Sequence, residues 1–237
     1  MFDLVYTVKD GNNNEQLKWS LRSVNKFAPE YGNVWVVGGR PDFLSNEIKS
    51  IRTTQTKTSI ENVGKNIIAV CKNEGVAENF ILMNDDFVLT RKIDEWDLRS
   101  LSKGRLQDQY DMYYKTQPMY ANAINNTIEL LGMIFPGMRT FENYGLHLPF
   151  VINKKRYMEI IESPFIDNYI HDKKQIMWRS LYGNMNCIDA EHVNDVKLYE
   201  DGIPNTEWIS LPHDYSGFKT LNEWLKNNMP EKCKYEK

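Results

Sequence analysis

The sequence predicts an α/β fold with a mostly parallel sheet, followed by a helical middle and C-terminal portion. Three observations carry this. Apolar runs of strand length lie near residues 2–8, 34–37 and 80–83, and helical-period segments separate them. Gly, Pro or Asn clusters close the first two runs. That alternation implies parallel strands joined by right-handed crossovers.

Phe2 to Val8 reads as the first strand, ending in the loop signal Lys9-Asp10-Gly11-Asn12-Asn13-Asn14. Leu17, Leu21 and Val24 then fall at i, i+4 and i+7, and Pro29 lies past the helix they define. Val34-Trp35-Val36-Val37 is a second buried strand, closed by Gly38-Gly39 and Pro41. Ile67, Ile68, Val70 and Cys71 mark a helix face before Gly75, and Phe80 to Met83 is the third strand. Asp94 to Phe135 reads as mostly helical, with Ile124, Ile128 and Leu131 at helical spacing. Tyr110, Tyr113, Tyr114 and Tyr120 in that stretch read as core or helix-packing residues. Helices are expected at Asn153 to Glu162 and Gln175 to Tyr182, a short strand at Asn186 to Asp189, and a closing helix from Leu221 ended by Pro230. Without repeats or a flexible linker, 1–237 reads as one unit, with a ligand-binding α/β half over 1–93 and a helical half over 94–237.

Composition narrows the class. The 237 residues are 41% apolar and 26% charged, ordinary for a water-soluble globular chain. A net charge of −3 gives no electrostatic case for non-specific nucleic-acid binding. Three cysteines, Cys71, Cys187 and Cys233, stand in no metal-ligand spacing and read as reduced thiols. Met1-Phe2-Asp3-Leu4 does not read as a signal peptide, and no apolar run approaches bilayer length. A cytoplasmic location is the expectation.

Asn84-Asp85-Asp86 directly follows the third apolar run. In an open α/β sheet, ligands bind at that end of the strands. Adjacent carboxylates repel unless a positive group lies between them, and a divalent metal carrying a diphosphate would meet that need. Alone, the pair reads first as a polar turn, which Asn and Asp favour. The loop after the first strand meets a helix N-terminus, where phosphates are attracted, and Arg22 lies two turns along that helix. Alone, Arg22 reads as a surface cation and Asp10-Gly11 as an ordinary turn.

Four blocks together resemble the Stealth family. Val5-Tyr6-Thr7-Val8-Lys9-Asp10-Gly11 with Glu15 to Val24 is similar to its first block. Phe80 to Phe87, with Asn84-Asp85-Asp86 closing a strand, is similar to its second. Gly145-Leu146-His147-Leu148-Pro149-Phe150 resembles its H-x-P block, and Met229 to Glu236 its last. Family members are sugar-1-phosphate transferases: bacterial capsule polymerases, and the enzyme that tags lysosomal glycoproteins. The resemblance implies a Rossmann-like core akin to that of metal-dependent glycosyltransferases, a nucleotide-sugar donor, a divalent metal (Mg²⁺ or Mn²⁺), and a functional His and later Arg. Two departures stand out. Val8-Lys9 replaces the family's Trp-Val, and Tyr169 to Asp172 offers His171 where the later Arg should fall. Arg156 and Arg179 are possible substitutes, neither well supported by its spacing.

These readings give an expected site. Asp85 and Asp86 hold metal, with Asp86 also a candidate base. Thr7, Asp10, Gly11, Arg22 and Asn84 hold the donor. Arg22, His147 and His171 act on the moving phosphate or the acceptor proton. The expected reaction is metal-dependent transfer of a sugar-1-phosphate to an acceptor hydroxyl. A glycosyltransferase on the same scaffold, releasing nucleoside diphosphate, is the rival. A non-catalytic nucleotide-sugar-binding module is the alternative of another class. Candidate acceptors are a glycan precursor, a lipid-linked sugar or a hydroxymethylated DNA base. Lys154-Lys155-Arg156 and Lys173-Lys174 read as solvated helix faces rather than a nucleic-acid footprint.

Overall fold

A computed structural model describes residues 1–173, 175–186 and 190–237. Cys187, Lys174 and most of the expected strand at Asn186–Asp189 lie outside them.

Strand β1 (Asp3–Val8) is central, pairing in parallel with β2 (Val34–Gly38) on one side and β4 (Asn79–Asn84) on the other. β2 also pairs in parallel with β3 (Lys49–Arg52). The five-stranded order is β3-β2-β1-β4-β7. Strand β7 (Phe150–Asn153) is the one antiparallel member, at the edge beside β4. β2 is buried throughout, as expected for a parallel strand covered on both faces. The fold is therefore α/β with a mostly parallel sheet.

Side chains alternate across the sheet. Leu4, Tyr6, Ile81 and Met83 pack with Leu17, Leu21 and Val24 of α1 (Glu15–Phe27). Val5, Phe80 and Leu82 face the other way, onto Ile67 and Val70 of α2 (Ser59–Cys71), Ile124 of α4 (Pro118–Ile134), Tyr157 of α5 (Lys154–Ile161) and Trp178 of α7 (Trp178–Met185). Asn14 starts α1 by accepting the Leu17 N–H at 3.0 Å, which satisfies one of the helix's free donors.

Several elements are not legible in the sequence. β3 is short and mostly exposed, so it lacks an apolar run. The expected helical stretch from Asp94 begins instead as loop, with the two-residue strand β6 (Leu101–Ser102) before α3 (Leu106–Tyr113). β6 pairs with β8 (Glu191–His192). β5 (Phe87–Leu89) pairs with β9 (Trp208–Ser210), and α8 (Lys219–Asn228) packs Leu221 and Leu225 beside them. α6 (Pro164–Lys173) is a further helix that the sequence pattern does not announce. Tyr113 and Tyr120 do pack helix on helix, edge to face at 5.3 Å, whereas Tyr114 is exposed. Among the described residues no helix is long and apolar enough to cross a membrane.

Candidate functional site

The strand order places a crevice between β1 and β4. From β1 the chain moves outward to β2 and β3, then returns to the other side as β4. Ligands of open α/β sheets bind at such a switch point, beyond the carboxyl ends of the strands. Thr7 and Asn84 are register partners at that end.

Asn84 is the first anchor. Its Oδ1 accepts from Arg179 Nη2 at 3.2 Å. The same guanidinium donates through Nη1 to the carbonyls of Leu146 at 2.9 Å and Leu148 at 2.8 Å. It also lies against the Phe87 and Phe150 rings, 5.6 and 5.7 Å from their centroids. One side chain thus fastens the Asn-Asp-Asp strand end to the turn that carries His147. Burial pushes the Arg179 pKa down to about 10, against the pull of Asp86 and Asp195, so it stays cationic at neutral pH.

His147 is held by Asp195. Its backbone N–H donates to Asp195 Oδ1 at 2.9 Å, and its Nδ1 lies 2.8 Å from Asp195 Oδ2. The Val196 N–H also donates to Oδ1, and the Lys103 ammonium lies 3.5 Å from Oδ2. Burial alone would raise the Asp195 carboxyl, but these bonds from His147 and the nearby Lys103 outweigh it and hold it at about 2. Asp195 is therefore an acceptor only, and Nδ1 of His147 must carry a proton toward it. That leaves Nε2 as the ring's hydrogen-bond acceptor in the neutral form.

Asn84, His147 and Arg179 line one cleft of about 510 Å³, together with Lys103 and Lys197. Tyr113, Tyr120 and Trp178 supply aromatic wall. The first turn of α2, Ser59 and Ile60, closes another side. Trp178 fixes that turn by donating Nε1–H to the Ile60 carbonyl at 2.8 Å. Gly64 permits it, because a Cβ there would sit 2.0 Å from Trp178 Cε2.

The two carboxylates do not line this cleft. Asp86 is buried, and its Oδ2 accepts both Lys197 Nζ at 2.8 Å and Ser210 Oγ at 2.6 Å. Asp85 Oδ2 accepts Asn14 Nδ2 at 2.6 Å, tying the strand end to the cap of α1. Burial raises the Asp85 pKa, the Asn14 bond opposes this, and the Asp86 charge adds to it. Among the described residues no group of three or more His, Cys, Asp or Glu could hold a metal ion. The expected pair, Asp85 and Asp86, thus stands at the end of β4 with protein partners, Asn14 on Asp85 and Lys197 and Ser210 on Asp86. Asp86 has spent its charge on Lys197, and a dication on the same carboxylate would lie beside an ammonium.

Other expected site residues fall elsewhere. Arg22 points to the C-terminus: Nε and Nη2 form a fork on Glu236 at 2.7 and 2.8 Å, and Nη1 donates to the Met229 carbonyl. The Glu236 bond raises the Arg22 pKa. Arg22 thus clasps the last block and does not line the cleft. His171 is exposed on α6 and does not line the cleft. Asp10 and Gly11 are exposed; Asp10 lies 3.6 Å from Arg52, and its N–H donates to Gln55. They remain at the mouth of the β1 strand end, unlike Arg22 and His171. Lys103, Asp195, Lys197 and Ser210 have no signal in the sequence. Each is a single polar residue in a loop or short strand.

No protein-family model matches the chain, so the Stealth resemblance rests on the four blocks alone. No curated protein matches either. Among solved structures, the chain is similar to mouse xyloside xylosyltransferase 1 in its apo form, at 10% sequence identity and a TM-score of 0.43. The match covers 83% of this chain and 87% of that one.

Proposed function

We propose that this protein transfers a sugar-1-phosphate from a nucleotide-sugar to an acceptor hydroxyl, with the donor's phosphates in the Asn84–Arg179–His147 cleft. The observation that carries this reading is the Arg179 guanidinium, which joins the ligand-binding end of β4 to the His147 turn. Phosphoryl transfer needs positioning and charge neutralisation more than covalent chemistry. The cleft offers Lys103, Arg179 and Lys197 for the charge and His147 for the proton.

The hydroxyl oxygen attacks the phosphorus that bears the sugar, and its proton passes to His147 Nε2. The bond from that phosphorus to the bridging oxygen breaks, and nucleoside monophosphate leaves with the electron pair. Asp195 is a positioning residue: it fixes the ring and stabilises the imidazolium. Arg179, Lys103 and Lys197 meet negative charge as it develops on the phosphate oxygens. The cleft's cations, with His147 beside them, suit attack at phosphorus, the chemistry the family resemblance implies.

The test is nucleotide analysis. Incubation with UDP- or GDP-sugars and a pool of hydroxyl acceptors should release nucleoside monophosphate. Release of diphosphate alone would establish the glycosyltransferase chemistry instead. Donor binding without turnover, across acceptor pools of glycans, lipid-linked sugars and hydroxymethylated DNA, would mark a binding module.

A further inference from the structure

We propose that this site holds a diphosphate by the chain's own cations, with Lys197 occupying the role that a bridging divalent metal would otherwise fill. The inference rests on the transferase reading for the identity of the ligand, but the charge geometry stands independently of it.

Three cations, Lys103, Arg179 and Lys197, line the cleft, and no carboxylate does among the described residues. A metal clamp needs the reverse, anionic oxygens facing the ligand. The two acids beneath serve the cations instead. Asp86, with 10% of its side chain exposed, holds Lys197, itself 20% exposed. Asp195 lies under Lys103 and His147. Lys197 Nζ also donates to the Leu211 carbonyl at 2.6 Å, so two of its three N–H bonds fix its position. Lys197 so held is part of the cleft lining. Three of Arg179's five N–H groups are likewise spent on the protein, which pre-orients the rest. The first turn of α2 reaches the same cleft, adding the positive end of a helix to the cation cluster.

The consequence is that pyrophosphate binds without a metal. Inorganic pyrophosphate, titrated calorimetrically into the whole protein in EDTA, is expected to bind at least as tightly as in Mg²⁺, which competes for the anion in solution. Affinity should fall steeply with added salt. Lys197→Met strands a buried carboxylate and can unfold the chain, so the informative variant pairs it with Asp86→Asn and keeps the buried spot neutral. That double variant and Lys103→Met should each weaken pyrophosphate about tenfold in EDTA, the scale of one lost charge-assisted contact. Binding seen only with Mg²⁺ or Mn²⁺, or unchanged affinity in both variants, overturns the proposal. Absence of pyrophosphate binding under every condition also overturns it. None of these results depends on turnover, so the transferase reading succeeds or fails separately, on nucleotide release.

Discussion

Replacing Asp195 with Asn changes one atom and, through the hydrogen bonds around it, the tautomer of His147. Asp195 Oδ1 accepts two backbone N–H groups, from His147 and Val196. An amide keeps those bonds only if its oxygen takes that place. Its NH₂ must then face His147 Nδ1, 2.8 Å from the present Oδ2. It donates there, so Nδ1 becomes an acceptor and the ring proton moves to Nε2. A neutral imidazole in that tautomer cannot accept the acceptor's proton. Loss of general-base function is worth about 10²- to 10⁴-fold in rate. The same NH₂ also faces the Lys103 ammonium, 3.5 Å from the present Oδ2, which adds a stability cost. That cost is about 1–2 kcal/mol, smaller than the full Asp195 shift implies because the carboxylate is 21% exposed. Nitrogen-15 NMR of the imidazole should show the proton on Nδ1 in the wild type and on Nε2 in Asp195→Asn. The rate of nucleoside monophosphate release should fall at least a hundredfold, with donor KM nearly unchanged. A variant that keeps the wild-type tautomer, or a rate within about threefold of wild type, refutes the role given to this pair.

Further predictions concern stability. Glu236→Ala leaves the Arg22 guanidinium, only 14% exposed, without its carboxylate, and should cost about 3 kcal/mol. For a chain of this size that lowers Tm by about 6–12 °C; donor KM should not change, whereas a donor-binding Arg22 would raise it. Asp195 has its carboxyl held at about 2, below the usual 3.8, so its contribution is present above pH 4 and is lost as pH falls to 2. The stability gap between wild type and Asp195→Asn, measured in urea, should therefore be open at pH 7 and shut by pH 2. Gly64→Ala drives a methyl into Trp178 and should cost about 1–3 kcal/mol. Since Trp178 precedes Arg179, pyrophosphate affinity should drop as well, checked by the same calorimetry.

Most of what builds the sheet can be read in the chain. Val34 to Val37 and Phe80 to Met83 are continuous apolar runs because parallel strands are buried on both faces. The loop signal ending at Asn14 and the Leu17, Leu21, Val24 stripe mark α1 in the sequence. His147 and Asn84 are also visible, because a His in a Gly-flanked turn and a polar residue ending a buried strand are local signals. The charge pairing cannot be read this way. Asp86 reads in sequence as half of an acidic pair facing a ligand; in the fold it is neutralised by Lys197, 111 residues later. Arg22 reads as a free cation near a phosphate loop; Glu236, 214 residues away, claims it. Local periodicity and turn chemistry thus set β1, β2 and β4, the helices α1 and α2 between them, and the end of the sheet proposed to take a ligand. The electrostatics of that end are decided only by folding. Coulomb attraction depends on distance in space, and a partner such as Asp195 or Lys197 leaves no periodic trace in the chain.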